Sequence, residues 1–161
     1  MPPKWAIGYH QCRYSYEDEK QVKEITDKFR KNEIPCDCIW FDIHYMDGYR
    51  CFTFDNDRFP DPKRLTDELH DRGFHTVCIV DPGIKVDEDY QIYQELIEKE
   101  FYTPKKNGEP SEGIVWPGLT NFPDFTREEV REWWADKHEF YFERGIDGIW
   151  NDMNEPAFSI N

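Results

Sequence analysis

The stretch GIWNDMNEP, residues 148–156, runs from an apolar lead into two carboxylates. Its first residues, up to Trp150, have the apolar character of a buried strand, whereas Asp152 and Glu155 are charged and lie three positions apart. Pro156 disfavours continuation as the interior of a strand. The pattern predicts a strand that carries a carboxylate at its carboxyl end.

Along the whole chain, predicted strands alternate with predicted helices. Strands are predicted at four apolar segments: 5–10, 36–43, 74–81 and 146–150. Helices are predicted in four segments: from a Ser15–Asp18 capping box to before Pro35, 63–72, 88–99 and 126–145. This order indicates a parallel sheet built by right-handed crossovers, either part of a (β/α)8 barrel or a doubly wound sheet. Neither glycine-rich nucleotide-binding motif occurs, which removes the commonest reason for a doubly wound sheet.

Residues at the ends of these helices refine the prediction. Gly73 is expected to close the second helix, and Gly145 to close the last one, because glycine readily adopts the left-handed conformation after a helix. Thr126 and Glu129 have the spacing of a capping box, which predicts the start of the last helix.

Three predicted strands end in a carboxylate, at Asp42, Asp81 and Asp152. The carboxyl ends of parallel strands lie on one face of a sheet, and barrel enzymes hold their catalytic groups on that face. A single aspartate in such a place is most often an ordinary cap or turn residue. Three of them beside large apolar side chains are also candidates for acid–base or nucleophilic work.

Charge and composition narrow the class of ligand. The net charge is −14, which disfavours binding to nucleic acid or to an anionic membrane. Aromatic residues make up 17% of the chain, and they either fill the core or line a pocket for a sugar or a base. A neutral ligand therefore fits better than a polyanion.

The cysteines and the first residues indicate a reducing location. The five cysteines are an odd number and do not form a disulfide framework, and no histidine follows them at zinc-finger spacing. No cofactor and no metal are expected. No apolar stretch opens the chain or approaches the length of a membrane span, so a soluble, cytoplasmic protein is predicted.

The remaining motifs leave carboxylate chemistry as the best candidate. Metalloprotease and serine-hydrolase motifs are absent. His70 and His138 fall on predicted helices and are read as surface or packing groups, whereas His10 and His44 lie near strand ends and are expected to face a pocket. Carboxylates among tryptophans suit glycoside hydrolysis, in which a positively charged transition state needs a nearby negative charge.

Five segments of the chain resemble glycoside hydrolase family 31, the family of α-glucosidases and α-xylosidases. They are GYHQCRYSY (8–16), IWFDIHYMDGYRCFTFD (39–55), VCIVDPGIK (77–85), VWPGLTNFPDFT (115–126) and GIWNDMNEP (148–156). The resemblance is strongest to the α-glucosidases and covers nearly the whole chain in the family's own order. It implies a (β/α)8 TIM barrel, of which residues 1–161 resemble strands 1–4 with their helices, with an insertion around 84–125.

The resemblance also implies roles for individual residues. Asp152 matches the catalytic nucleophile of a retaining α-glucosidase, and Asp42 matches the carboxylate that binds hydroxyls of the non-reducing sugar. Five further residues match those that line the sugar subsite in the family: Ile43, Ile79, Trp116, Trp150 and Met153. Glu155 resembles a supporting carboxylate, for which a capping role or an indirect role behind the sugar contacts is the preferred interpretation. Asp81 is read as a structural turn residue.

Two departures from the family's pattern affect this interpretation. His44 stands where many relatives carry an acid, which leaves the preferred linkage open. No residue of the chain matches the family's general acid/base or its later substrate-binding arginine and histidine. The chain alone is therefore expected to be incomplete, and to pair with the rest of the barrel or to self-associate.

Two other functions stay open at this point. One is a non-catalytic carbohydrate-binding or assembly module derived from such a barrel, and the other is an unrelated α/β sheet protein. The second requires five ordered motifs to be coincidental. The expected partner is an α-glucoside or an oligosaccharide, with no nucleic acid and no membrane.

Overall fold

The computed structural model describes residues 1–159, which form seven strands and five α-helices. The strands are β1 His10–Gln11, β2 Cys38–Phe41, β3 His75–Val80, β4 Ile84–Lys85, β5 Glu112–Val115, β6 Gly118–Asn121 and β7 Gly148–Asn151. The helices are α1 Glu19–Lys31, α2 Pro62–Asp71, α3 Gln91–Glu98, α4 Glu128–Lys137 and α5 Glu139–Phe142.

The chain divides into two compact units, and the first contains the larger sheet. This unit comprises Met1–Asp47, Phe52–Val80 and Phe140–Trp150. Its sheet has the strand order β1-β2-β3-β7, and β2 runs parallel to both β1 and β3. Strand β3 is buried at five of its six positions, which agrees with the continuous apolar run expected of a parallel sheet covered on both faces.

The helices of the first unit begin at aspartate caps. The Asp18 carboxylate accepts a hydrogen bond of 2.8 Å from the backbone N–H of Gln21, and the Asp61 carboxylate accepts one of 3.0 Å from that of Arg64. Helix α1 then buries Val22, Thr26 and Phe29 at helical spacing. These helices connect β1 to β2 and β2 to β3, which makes two βαβ crossovers.

The second unit contains a small antiparallel sheet. It comprises Gly48–Cys51, Asp81–Glu139 and Asn151–Asn161, of which the structure describes residues up to 159. Its sheet has the order β4-β6-β5, and the β5–β6 hairpin turns through Trp116 and Pro117. Gly118 follows the turn at a φ of +96°, a conformation that favours glycine. The prediction that residues 84–125 form an insertion stays a prediction.

Three predictions of secondary structure were wrong. The segment 5–10 is a 3₁₀ turn at Lys4–Ile7 followed by β1, not one strand. The cap of α1 is Asp18 alone, and the predicted partner Ser15 is buried ahead of the helix.

The third wrong prediction concerns the segment 126–145, which is two helices rather than one. Its expected cap, Thr126, donates instead to the Asp124 carboxylate at 2.6 Å, so α4 starts at Glu128 without a side-chain cap. The predicted end is correct, because Gly145 follows α5 at a φ of +79°.

None of the helices in residues 1–159 has both the length and the apolar character needed to cross a membrane. The predicted cytoplasmic location stays a prediction.

Candidate active site

Each of the three predicted carboxylates follows directly on a strand of the larger sheet. Asp42 comes after β2, Asp81 after β3 and Asp152 after β7. These three strands are neighbours in the sheet order. The sequence pattern of an apolar run ending in aspartate therefore identified the strand ends correctly.

Asp42 is a buried and oriented carboxylate of the first unit. Its side chain is only 8% exposed, and its Oδ1 accepts a hydrogen bond of 2.8 Å from the backbone N–H of Ile43. This bond caps the 3₁₀ turn Ile43–Tyr45 and fixes the carboxylate. Although Cys12 is exposed, desolvation of its thiol by neighbouring groups, and next the negative charge of Asp42, raise the pKa of that thiol. An ionised carboxylate only accepts hydrogen bonds, which suits the hydroxyl donors of a sugar.

Ile43 and Ile79 lie in the core of the first unit. Their exposed fractions are 1% and 2%. The Tyr45 hydroxyl donates to the Ile79 carbonyl at 2.6 Å, which ties the end of β3 to the turn after β2. Neither isoleucine presents appreciable surface in this structure, so their role as sugar contacts stays a prediction.

Trp150 lies on β7 beside Trp40, which is not among the predicted site residues. The ring centroids of Trp150 and Trp40 are 5.4 Å apart, with the planes tilted by 55°. The Trp40 indole N–H donates to His10 Nδ1 at 3.1 Å, and His10 Nε2 lies 2.9 Å from the Trp5 carbonyl oxygen. His10 is therefore the neutral Nε2–H tautomer, because Nδ1 must accept and Nε2 must donate.

A sequence signal for Trp40 exists. Trp40 precedes Asp42 by two positions, as Trp150 precedes Asp152 and Ile79 precedes Asp81. Side chains two positions apart on a strand point to the same face, so an apolar residue and a carboxylate share a face at each of these strand ends.

The loop after β7 belongs to the second unit and carries Asp152. Asp152 is half-buried and Glu155 is exposed. Met153 has a φ of +59°, and its carbonyl accepts a hydrogen bond of 3.2 Å from the N–H of Ala157. A non-glycine residue in the left-handed region is strained, by roughly 1–3 kcal/mol, and such residues occur most often at functional sites.

The far end of this loop is tied to the small sheet. The backbones of Ile114 and Ser159 exchange two hydrogen bonds of 3.0 Å, which places the chain beside β5. The Phe158 ring lies over Gly113, where a Cβ atom would approach that ring to within 2.7 Å. The loop that holds Asp152 is thus fixed at its end by a strand pairing and by close ring packing.

Trp116 and Met153 meet at one cleft of the second unit. The cleft has a volume of about 450 Å³, and Trp116 is 49% exposed at the tip of the β5–β6 hairpin. The other residues of its lining are Ile114, Val115, Ala157, Phe158 and Ser159. Of the predicted sugar contacts, these two are therefore brought together in one concave and largely apolar surface.

Asp81 follows β3 directly, and its predicted role as a structural turn residue stays a prediction. It is buried, and its carbonyl accepts a hydrogen bond of 2.9 Å from the Cys51 thiol. Tyr90 in turn donates to the Cys51 carbonyl at 2.7 Å. Burial, and next the charge of Asp81, raise the pKa of the Cys51 thiol to about 12, so this thiol stays protonated and remains a donor.

Comparison with known proteins decides the family. The model of the glycosyl hydrolases family 31 TIM-barrel domain matches residues 1–161. The chain belongs to glycoside hydrolase family 31. The predicted family and the predicted TIM-barrel fold are thereby confirmed.

Relatives in this family are named as α-glucosidases. The chain is 55% identical over 157 residues to alpha-glucosidase 2 of Bacillus thermoamyloliquefaciens, covering 98% of this chain and 20% of that protein. It is 44% identical over 160 residues to human neutral alpha-glucosidase C, covering 98% of this chain and 18% of that protein.

Solved structures agree with the sequence relatives. The family 31 α-glucosidase of Bacteroides thetaiotaomicron superposes with a TM-score of 0.88 at 46% identity, covering all of this chain and 27% of that one. The chain spans only about a fifth of the curated relatives it matches. The activity of the whole protein is therefore a matter for proposal.

Proposed function

We propose that the protein carrying this chain is a retaining α-glucosidase that releases glucose from non-reducing ends, with Asp152 as its nucleophile. The observation that carries the proposal is the position of Asp152, directly after β7 and next to Met153, whose side chain lines the Trp116 cleft. The named activity of the relatives supports the same function.

The proposed reaction has two steps at one carbon. The Asp152 carboxylate attacks the anomeric carbon, a carbon–oxygen ester bond forms, and the glycosidic bond to the leaving oxygen breaks while a general acid protonates that oxygen. Water then attacks the same carbon, gives up a proton to the conjugate base, and releases glucose and the free carboxylate. Two inversions leave the α configuration unchanged.

Asp42 and Trp150 are assigned to sugar binding. The anchored Asp42 carboxylate is oriented by the Ile43 N–H, so it accepts bonds from sugar hydroxyls without first losing rotational freedom. The Trp150 ring, held against Trp40, offers a flat apolar face to the sugar ring. Residues 1–161 hold no match to the family's acid/base, so the proposal assigns only the nucleophile and part of the sugar subsite to this chain.

Covalent labelling tests the nucleophile. The protein carrying this chain is treated with a mechanism-based glucosyl epoxide and digested, and the labelled peptide is sequenced by mass spectrometry. We expect one label per active site, on Asp152, and no label in the Asp152→Asn variant. Glu155→Gln is the matched control and should be labelled as the parent is. A label on Glu155 or on Asp42 would overturn the assignment.

Substitution of Trp150 tests the sugar wall and separates hydrolysis from binding alone. Trp150→Ala should lower kcat/KM on an α-glucoside by at least about tenfold, while unfolding curves show a much smaller proportional loss. A loss of activity that only follows the loss of folded protein would make Trp150 a core residue. Sugar binding by the parent without any turnover would instead favour a carbohydrate-binding module.

A further inference from the structure

A second cluster of chemically active side chains lies at the amino-terminal ends of the strands, in the first unit. It consists of His70 on α2, His75 at the start of β3 and Asp147 just before β7. One nitrogen of each histidine and one carboxylate oxygen lie within 4.8 Å of one another. The proposed hydrolysis makes no use of these residues.

The distances within the cluster are close to those of a metal site. His70 Nε2 lies 2.8 Å from Asp147 Oδ2, and His75 Nδ1 lies 3.0 Å from Asp147 Oδ1. Zinc binds nitrogen and oxygen at about 2.0–2.2 Å in a tetrahedron, which sets neighbouring donor atoms roughly 3.3–3.5 Å apart. To admit the ion, the His70–Asp147 pair would open by about 0.5–0.7 Å and the His75–Asp147 pair by about 0.3–0.5 Å, both of them small side-chain movements.

Surrounding groups already hold the Asp147 carboxylate in place. Its Oδ2 accepts a hydrogen bond of 2.9 Å from the backbone N–H of Thr76, and the N–H of Asp147 donates to the Thr76 carbonyl at 2.9 Å. The Trp5 ring stacks on the His75 ring at a centroid distance of 4.5 Å. Such outer partners orient ligands and raise metal affinity.

The local sequence and the exposure also favour an ion. Four residues separate His70 from His75, a spacing found between zinc-binding histidines, and Gly73 at a φ of +74° turns the chain so that both rings approach Asp147. Their ring centroids are 5.9 Å apart. The side chains are 32%, 35% and 20% exposed, and the His75 Nδ1 atom itself is buried without a hydrogen bond of regular geometry.

We infer that His70, His75 and Asp147 bind one divalent transition-metal ion of the zinc class, which fastens α2, β3 and β7 together. Imidazole and carboxylate donors suit zinc better than calcium or magnesium, which prefer oxygen alone. The ion takes the place of the proton that otherwise bridges His70 and the carboxylate. A fourth position is left for water.

Metal titration of the full 161-residue chain tests this inference. The titration is made in a Cys12→Ser background, because Cys12 is an exposed thiol and thiols bind zinc. Co²⁺ is added and followed by its visible absorption, and Zn²⁺ is then added to displace it. We expect one Co²⁺ per chain, with the strong absorption of a four-coordinate site, and its displacement by one Zn²⁺.

Matched variants locate the site. His70→Gln, His75→Gln and Asp147→Asn should each weaken Co²⁺ and Zn²⁺ binding by at least about tenfold. Asp71→Asn removes a charge beside His70 without removing a proposed ligand, and His138→Gln removes a histidine elsewhere; both should bind as the parent does. Circular dichroism verifies that each variant is folded.

Two results would overturn the inference. One is a parent chain that takes up no Co²⁺ at an equimolar ratio, in which case Asp147 only pairs with the two histidines. The other is a folded His70→Gln chain that binds Co²⁺ as tightly as the parent. If Asp147→Asn does not fold, because its carboxylate also holds Thr76, the two histidine variants decide.

Discussion

Removal of the Tyr141 hydroxyl tests a buried chain of hydrogen bonds in the first unit. Tyr45 and Tyr141 are both fully buried. The Phe52 N–H donates to the Tyr141 oxygen at 2.9 Å, the two hydroxyls are 3.0 Å apart, and Tyr45 donates to the Ile79 carbonyl at 2.6 Å. Since the Tyr45 proton is used at Ile79, Tyr141 must donate to Tyr45. Every donor in this series of hydrogen bonds then points in one direction, from Phe52 through Tyr141 and Tyr45 to Ile79.

The structure gives a magnitude for each substitution. Tyr141→Phe leaves the buried Phe52 N–H without this acceptor, which costs about 1–3 kcal/mol of unfolding free energy. Tyr45→Phe removes the donor to Ile79 and the acceptor for Tyr141, and a similar cost of about 1–3 kcal/mol is expected. Both single variants lose the same tyrosine–tyrosine bond. The double variant should therefore be less destabilised than the sum, by about 1 kcal/mol, the net value of one hydrogen bond.

Urea unfolding measures these differences. With a slope of about 2 kcal/mol per molar urea, each single variant should shift the midpoint by roughly 0.5–1.5 M. Tyr14→Phe is the control, because Tyr14 is 62% exposed and its hydroxyl should matter by less than about 0.5 kcal/mol. If the losses of unfolding free energy in Tyr45→Phe and Tyr141→Phe add to within about 0.3 kcal/mol in the double variant, the proposed series of hydrogen bonds is refuted.

Two further substitutions have defined outcomes. Burial alone would raise the pKa of Glu95, but hydrogen bonds from Lys137 and Trp133 outweigh it and hold that pKa below its usual value. The stabilisation of the folded state by ionised Glu95 is therefore complete above the unfolded pKa of about 4.3, and it is lost as the pH falls through the lower folded pKa. Glu95→Gln should then have a lower free energy of unfolding than the parent at pH 7, and the two values should converge in acid. A difference in unfolding free energy that does not change with pH would contradict this. Gly145→Ala should lower the melting temperature more than Gly108→Ala does. Both glycines have a positive φ, but only at Gly145 would the new Cβ meet a neighbour, Thr66 Oγ1 at 2.6 Å. Equal decreases in melting temperature would mean that this contact relaxes.

Local patterns predicted β2, β3 and β7 well because each of these strands carries its own signal. The strands β2 and β3 are short apolar runs that end at an aspartate, and the predicted boundaries differ from the observed ones by one or two residues. Helix α2 has an aspartate cap, a proline in its first turn and a glycine after its end, all of which are local signals. Where local signals agree with the tertiary structure, the sequence is sufficient to predict the type and the bounds of an element.

The same local rules failed where two of them competed. Thr126 and Glu129 have the spacing of a capping box, but Asp124 offers the Thr126 hydroxyl and N–H nearer acceptors, at 2.6 and 3.1 Å. The segment 5–10 has the residue types of a strand, but only His10 and the next residue pair with β2. Spacing does not tell which of two hydrogen-bond partners a side chain will take.

The predicted site shows the same limit in another form. Family resemblance and strand ends pointed to Asp42 and Asp152, because those residues stand in a recognisable local motif. The histidine cluster was not predicted: His70 was read as a surface or packing group, and its partner Asp147 is 77 residues away. Only the adjacency of β3 and β7 brings them together.

The predicted active-site residues and the proposed metal ligands lie at opposite ends of the strands, which explains how one sheet accommodates both. In barrel enzymes the carboxyl ends of the strands carry the chemistry, and the amino ends contribute to stability. Asp152 follows β7 and Asp147 precedes it, so a metal at Asp147 would brace the start of the strand whose end leads to the nucleophile. Such an ion would contribute to unfolding free energy and not to the glycosyl transfer. Removing it should therefore lower the melting temperature of the protein, whereas epoxide labelling of Asp152 in the folded protein should proceed unchanged.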